Sequence, residues 1–362
     1  GYNKDQCAEI KELRDDFVKT GEFIKLDFSV IPHDGEYELD FHRPYIDEIT
    51  FTQKGKKMTR IQDVFDTWID SGSVPYASHH YPFEKDRFDP KPGFLKHSKG
   101  YPADFIAEGL DQTRGWFYSM IVLNTALFGK APYKNVVVNG LLLAEDGRKM
   151  SKSLKNYPPM DDVLKKYGAD ALRYFLMASP LVRAEESPFS EKGVDEVMKK
   201  LIGRLDNVVS FYEMYSDSNT KESGTSTNTL DRWIISRLNS VTAEVTESLE
   251  NYEIDRAARP LMGFINDLST WYVRRSRDRF KKENDEFFYK AKERQGALAT
   301  TKYVLVNFSK LLAPFTPFIA EDVYQRVVRD KTQSVHLADW PKVSNVDKKI
   351  LEEMTEIRSV VT

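Results

Sequence analysis

The chain has 362 residues, 41% of them apolar, with 22 Phe, 18 Tyr and 5 Trp, which is material for two packed domains. A net charge of −3 excludes a polycationic nucleic-acid binder, so any nucleic-acid surface must be a local patch. A single cysteine, Cys7, excludes a disulfide framework and a multi-cysteine zinc site, and fits a reducing, cytoplasmic setting.

The six histidines (His33, His42, His79, His80, His97, His336) lack metal-ligand spacing, so no metal site is expected. No apolar run reaches the roughly 18 residues of a membrane span, and no signal peptide opens the chain. Gly1 stands inside one helical pattern and Thr362 inside another, as in a piece of a longer polypeptide.

Taken in order, residues 7–17 carry a short helix, with Ile10, Leu13 and Phe17 on one face. A hairpin is expected around Lys54-Gly55-Lys56. The run from Val64 through Trp68 to Ser73 should end in a tight turn. Residues 81–100, rich in proline and charge, read as a surface loop. Residues 103–109 form a short strand ending in Glu108-Gly109, and residues 116–127 an apolar helix. Val136-Val137-Val138 is β-branched without polar alternation, as in a parallel sheet covered on both faces. Loops at the carboxyl ends of such strands are where nucleotides bind.

From Met160 the pattern turns helical, with Gly168 as a stop signal before a second helix over 169–178 and a third over 194–215. Residues 216–228 are a polar linker expected to be mobile. A helical bundle follows. Its apolar stripes include Trp233, Ile234, Leu238, Val241 and Val245; then Leu261, Phe264, Ile265 and Leu268; then Leu305, Phe308, Leu311 and Leu312. The expected division is residues 1–185 and 186–362.

Three constellations carry chemistry. In Lys149-Met150-Ser151-Lys152-Ser153, a strand, a lysine-rich loop and a helix follow one another, a way to bring ammonium groups to phosphates. On charge alone the same loop reads first as a solvated basic surface. No Walker loop and no dinucleotide fingerprint is present. Glu108, Asp111 and Gln112 can hold ribose hydroxyls or an ammonium, and Asp111 can equally cap the next helix. Residues 271–282 pack six cations against one anion between aromatics, either a phosphate-binding patch or a solvated helix face.

The letters themselves resemble a known family. Lys149-Met150-Ser151-Lys152-Ser153 matches the signature loop of class I aminoacyl-tRNA synthetases. His42-Arg43-Pro44-Tyr45-Ile46-Asp47, Phe105-Ile106-Ala107-Glu108-Gly109-Leu110-Asp111-Gln112-Thr113-Arg114-Gly115-Trp116-Phe117 and Trp271-Tyr272-Val273-Arg274-Arg275 resemble isoleucyl-tRNA synthetases. Asn139-Gly140 departs from the His-Gly of many bacterial members. The family's His-x-Gly-His motif has no counterpart in these residues, and its inserted editing domain is not among them.

The resemblance implies the second half of a Rossmann-like α/β nucleotide fold, then an all-α anticodon-binding bundle. It implies a ligase that activates isoleucine with ATP and Mg²⁺ and transfers it to tRNA(Ile). It assigns phosphate contacts to Lys149 and Lys152 and adenylate contacts to Glu108, Gly109, Asp111, Gln112, Met150, Ser151 and Ser153. Trp68 and Trp116 fall in the side-chain pocket, and Arg274, Arg275, Arg277 and Arg279 face tRNA. A monomer without zinc or membrane contact is expected, inactive as this piece. The alternatives are a valyl-type enzyme and a non-catalytic tRNA-binding module.

Overall fold

The structure, a computed structural model, describes residues 42–48, 50–53, 55–63, 66–84, 86–90, 99–151, 153–281, 288–330 and 332–361. The expected helix over 7–17, Val64, Lys152 and Lys282 lie outside the described residues. Two compact units are present, Gly1–Ser73 and Val74–Thr362.

In the first unit, β1 (Thr50–Gln53) and β2 (Lys56–Thr59) pair antiparallel, as the glycine between them predicts, and Gly55 has φ 76°. Before the expected turn at its end, the run from Val64 to Ser73 holds a short helix, α1 (Thr67–Gly72), and Ser73 turns the chain after it. Asp66 starts it by accepting from the Trp68 N–H, since a carboxylate at an N-cap satisfies an orphan amide.

The second unit opens with a helical turn, Val74–Ala77. Then β3 (Ala103–Gly109), α2 (Trp116–Phe128) and β4 (Tyr133–Asn139) form a parallel crossover. The helix ends where Gly129 takes φ 70° and its N–H returns to Thr125. Phe117 and Met120 of α2 pack on Ile106 of β3. The sheet is not covered on both faces as expected: Phe105 is 53% and Val136 37% exposed. Among the described strands, β3 and β4 pair only with each other. A second parallel pair joins β5 (Leu142–Leu143) to β6 (Ser187–Pro188).

The described part of residues 81–100 is more than a surface loop. Phe88 is buried with Tyr101 and Phe128, each ring 5.2–5.7 Å from the others. Edge-on aromatic contacts favour this arrangement over solvation of the rings.

Helix α3 (Met160–Met177) is two helices joined at Gly168, where φ 77° and ψ 162° leave helical space. Its second half is clamped to the bundle. Asp170, buried, accepts at Oδ2 from the Ile319 N–H at 2.6 Å. That carboxylate caps α9 (Pro317–Val328), whose own N-cap Thr316 makes no side-chain cap. Tyr174, also buried, donates to the Ala258 carbonyl at 2.7 Å. Just beyond α3, Arg183 Nε lies 2.7 Å from the wholly buried Asp255.

The bundle follows from the apolar stripes. Helix α4 (Glu191–Val197) runs through a π-helical segment, Met198–Gly203, into α5 (Arg204–Tyr215). Then come α6 (Thr229–Glu250), α7 (Ile254–Asn266), a second π segment (Asp267–Val273), α8 (Phe288–Leu312), α9 and α10 (Lys348–Val361). Trp233, Leu261, Phe264 and Phe308 meet in one core, with the Phe264 and Phe308 rings 4.7 Å apart. Each such side chain contributes about 1.5–3 kcal/mol through burial.

The polar linker, expected to be mobile, is pinned along α8. The Ser223 N–H donates to Ala299, Lys302 Nζ donates to Thr220, and Asn228 caps α6 through the Leu230 N–H. These bonds hold the linker against the bundle.

Alanine at Gly168 is expected to lower stability by about 1–3 kcal/mol, because φ 77° with ψ 162° is open to glycine almost alone. The urea midpoint of the chain measures it, and an unchanged midpoint would mean that the kink relaxes without cost.

Candidate functional site

Parallel register sets the first part of the site. Glu108 pairs with Val138 and Gly109 with Asn139, so both strands end on one rim. Glycine is needed at Gly140, where a Cβ would sit 1.9 Å from the Glu185 carbonyl oxygen; at Gly109 a Cβ would meet only the movable Asp111 carboxylate. Glu108 and Asp111 are exposed on this rim and Gln112 is half-buried. Asp111 does not cap the following helix. Gln112 does so, its Oε1 accepting from the Trp116 N–H at 2.9 Å, while its Nε2 donates to Asp111 at 3.3 Å. One side chain thus fixes both the start of α2 and the aim of the neighbouring carboxylate.

The lysine loop leaves β5 as a tight hairpin. Leu143 bridges to Lys149, the Ala144 N–H donates to the Arg148 carbonyl at 2.8 Å, and Gly147 turns the chain at φ 80°. Arg148 folds back on Asp146 at 2.8 Å. Its side-chain hydrogen bond, helped by its backbone N–H, holds the Asp146 carboxyl below the ordinary carboxylate range. The guanidinium is therefore engaged, and the exposed Lys149 ammonium is the described cation that the loop offers. Ser151 and Ser153 bring their hydroxyls within 2.8 Å of each other. Asn156 bonds to the backbone of both Lys149 and Ser151. Nothing in the position of Asn156, five residues after Ser151, announces these contacts in the sequence.

Trp68, 44% exposed on α1, belongs to the first compact unit. Trp116, half-buried at the start of α2, belongs to the second. Among the described residues no group of three His, Cys, Asp or Glu side chains is gathered to hold a metal.

The arginine-rich segment sorts into two sets. Arg274, Arg275 and Arg277 are exposed. Arg275 lies over the Trp271 ring at 5.2 Å, a cation–π contact. Arg274 and Arg277 border a cleft of about 370 Å³ with Asn207, Phe211, Ser269 and Val273. Arg279 turns inward. Its NH1 and NH2 donate to the two oxygens of the wholly buried Asp231 at 2.7 and 2.8 Å, and its Nε donates to Glu293. Burial works against the charge of Arg279, but the hydrogen bonds and charge of Asp231 outweigh it and raise its pKa. Tyr272 donates to Asp231 as well, and its own pKa lies well above the ordinary range, through burial first and the Asp231 charge second.

Residues 18–187 match the family described as tRNA synthetases class I (I, L, M and V), and residues 231–362 match the anticodon-binding domain of tRNA ligases. The chain carries a class I tRNA synthetase domain and an anticodon-binding domain. It is 46% identical over 337 residues to an isoleucine–tRNA ligase of Chlamydia trachomatis, a match covering 90% of this chain and 31% of that protein. The chain thus spans about a third of the relative's length. Two solved structures share the fold. They are a LeuRS–tRNA–LeuAMS complex from Agrobacterium radiobacter K84 (TM-score 0.58, 22% identity, 83% of this chain and 35% of that one) and Mycobacterium tuberculosis methionyl-tRNA synthetase with methionyl-adenylate (0.59, 17%, 80% and 54%).

The rim and the lysine loop lie in the synthetase match, and the arginine segment lies in the anticodon-binding match. The boundary expected at residue 186 falls inside the second compact unit, one residue before the synthetase match ends.

The inward and outward arginines of this segment should separate in a stability measurement. Arg279→Ala leaves Asp231 buried without its charge partner and is expected to cost about 3–5 kcal/mol. Arg274→Ala, on the surface, should stay within about 0.5 kcal/mol. Equal melting shifts for the two variants would contradict the burial assignment.

Proposed function

We propose that the intact protein is an isoleucine–tRNA ligase and that this chain supplies the second half of its nucleotide fold together with its anticodon-binding bundle. The observation that carries the reading is the 46% identity to an isoleucine–tRNA ligase over 90% of this chain, loop and bundle included. That match favours isoleucine over the valyl-type alternative, and the lysine loop beside Glu108 and Gln112 favours an enzyme over a binding module.

The reaction asks for positioned charge. The isoleucine carboxylate attacks the α-phosphate of ATP, pyrophosphate leaves, and a terminal ribose hydroxyl of tRNA(Ile) then takes the aminoacyl group. Lys149 and Lys152 offset the negative charge that builds on the phosphates, with Met150, Ser151 and Ser153 shaping the loop around them. Glu108, Gly109, Asp111 and Gln112 hold the adenylate through its ribose hydroxyls and amino group, and their rim position suits this. Trp68 and Trp116 line the isoleucine side chain. Magnesium bound with ATP would offset phosphate charge; such sites commonly draw on phosphate oxygens and water more than on protein. Arg274, Arg275 and Arg277 meet tRNA phosphates and unpaired bases, and Arg279 orients the segment that carries them. No described helix is long and apolar enough to cross a membrane, and a cytoplasmic monomer fits the reading.

Pyrophosphate exchange by the intact protein tests it. Isoleucine should support exchange well above valine, and Lys152→Ala should slow it by roughly 10²–10³, the range for one lost charge donor. Exchange driven equally by valine would overturn the substrate, and a Lys152 variant at full rate would overturn the loop's role. This chain by itself should show no exchange.

For tRNA, the chain should bind weakly, with affinity falling as salt rises. Arg274→Ala should reduce the slope of log K against log salt by about 0.7–0.9, the contribution of one phosphate contact. Binding that ignores salt would count against the patch.

A further inference from the structure

Asn156 closes the lysine loop from the side opposite the hairpin. Its Oδ1 accepts from the Ser151 N–H at 2.9 Å, and its Nδ2 donates to the Lys149 carbonyl at 3.1 Å. One planar amide therefore meets an acceptor and a donor on either side of Met150, as a neighbouring strand would. Lys149 is held on its other flank by the bridge to Leu143. Met150, between the two contacts, is partly buried and packs against the main core. The Lys155 N–H donates to the Ser151 carbonyl at 3.0 Å, and Lys155 takes φ 47°. A solvated surface loop has no need of a half-buried amide spanning its backbone. A loop that must aim an ammonium and a hydroxyl at an anion does, because each ångström of drift weakens the contact.

We propose that Asn156 is a positioning residue of the phosphate-binding loop: it fixes the 149–151 backbone so that the Lys149 ammonium and the Ser151 hydroxyl converge on a polyphosphate. The inference rests on the phosphate-contact reading of the loop given above. Asn156 itself touches no phosphate; it acts through the two backbone groups that it holds.

The test uses this chain with magnesium pyrophosphate as the probe, followed by NMR titration, and amide exchange at Ser151 without ligand. Asn156→Ala should weaken pyrophosphate binding about tenfold, the effect of losing one to two hydrogen bonds. It should speed Ser151 exchange by a similar factor and leave the melting temperature of the chain unchanged. Asn156→Asp keeps the acceptor for the Ser151 N–H and loses the donor to Lys149, so it should restore the slow exchange without restoring affinity. Lys149→Ala should weaken binding while Ser151 exchange stays slow. Wild-type chain that fails to bind pyrophosphate, or that binds no better than Lys149→Ala, would remove the phosphate reading and this proposal with it. Normal binding or slow Ser151 exchange in Asn156→Ala, with Lys149→Ala impaired, would overturn the role of Asn156 alone.

Discussion

The second half of α3 is the piece on which the other parts depend. Three polar contacts tie it and the turn after it to the bundle: Asp170 to the start of α9, Tyr174 to Ala258, and Arg183 to Asp255. Asp170, Tyr174 and Asp255 are buried, where an unmet polar group costs more than at a surface. The first half of α3 follows the lysine loop directly. Gly168 separates the two halves, so one part of the helix belongs to the loop and the other to the bundle. The loop thus stands on an element whose far end is locked to the domain that carries the arginine patch.

The arginine segment shows how burial assigns roles to identical side chains. Asp231 sits without solvent exposure at the centre of Arg279, Tyr272 and Ser226. A buried carboxylate of this kind needs every oxygen satisfied, and it takes Arg279 out of the surface set to achieve that. The π-helical stretch before it, Asp267–Val273, is likewise tied down: Asp267 pairs with Arg237 at 3.0 Å and with Arg358 at 2.8 Å. Arg274 and Arg277 are left facing the cleft beside Phe211. The buried network supports the segment, and the exposed members are available to a polyanion.

The strand rim and the lysine loop are built with less burial. Two parallel strands carry the rim, and Phe105 and Val136 remain open on the sheet. Local hydrogen bonding holds the geometry instead. Gln112 aims Asp111 and starts α2, Arg148 folds onto Asp146, and Asn156 spans 149–151. Such contacts lie within seven residues of one another along the chain, so they form without the help of a large core.

Much of this was legible in the residues. The apolar stripes at 3.6-residue spacing located the bundle helices, Gly168 announced its kink, and the letters of residues 149–153 named the family, because periodicity and turn chemistry are local properties. What the sequence could not decide was set by partners far along the chain. Arg274 and Arg279 stand five apart in one basic run, and only Asp231, 48 residues before Arg279, separates them. Asp111 looked like a cap, yet Gln112 took that place because the turn after Gly109 brought its amide to the Trp116 N–H. The polar linker looked mobile until α8 supplied partners for its backbone. Sequence determined which chemistry the chain can carry; tertiary packing decided which charges stay in solvent to use it, since burial and pairing depend on neighbours that local spacing does not contain.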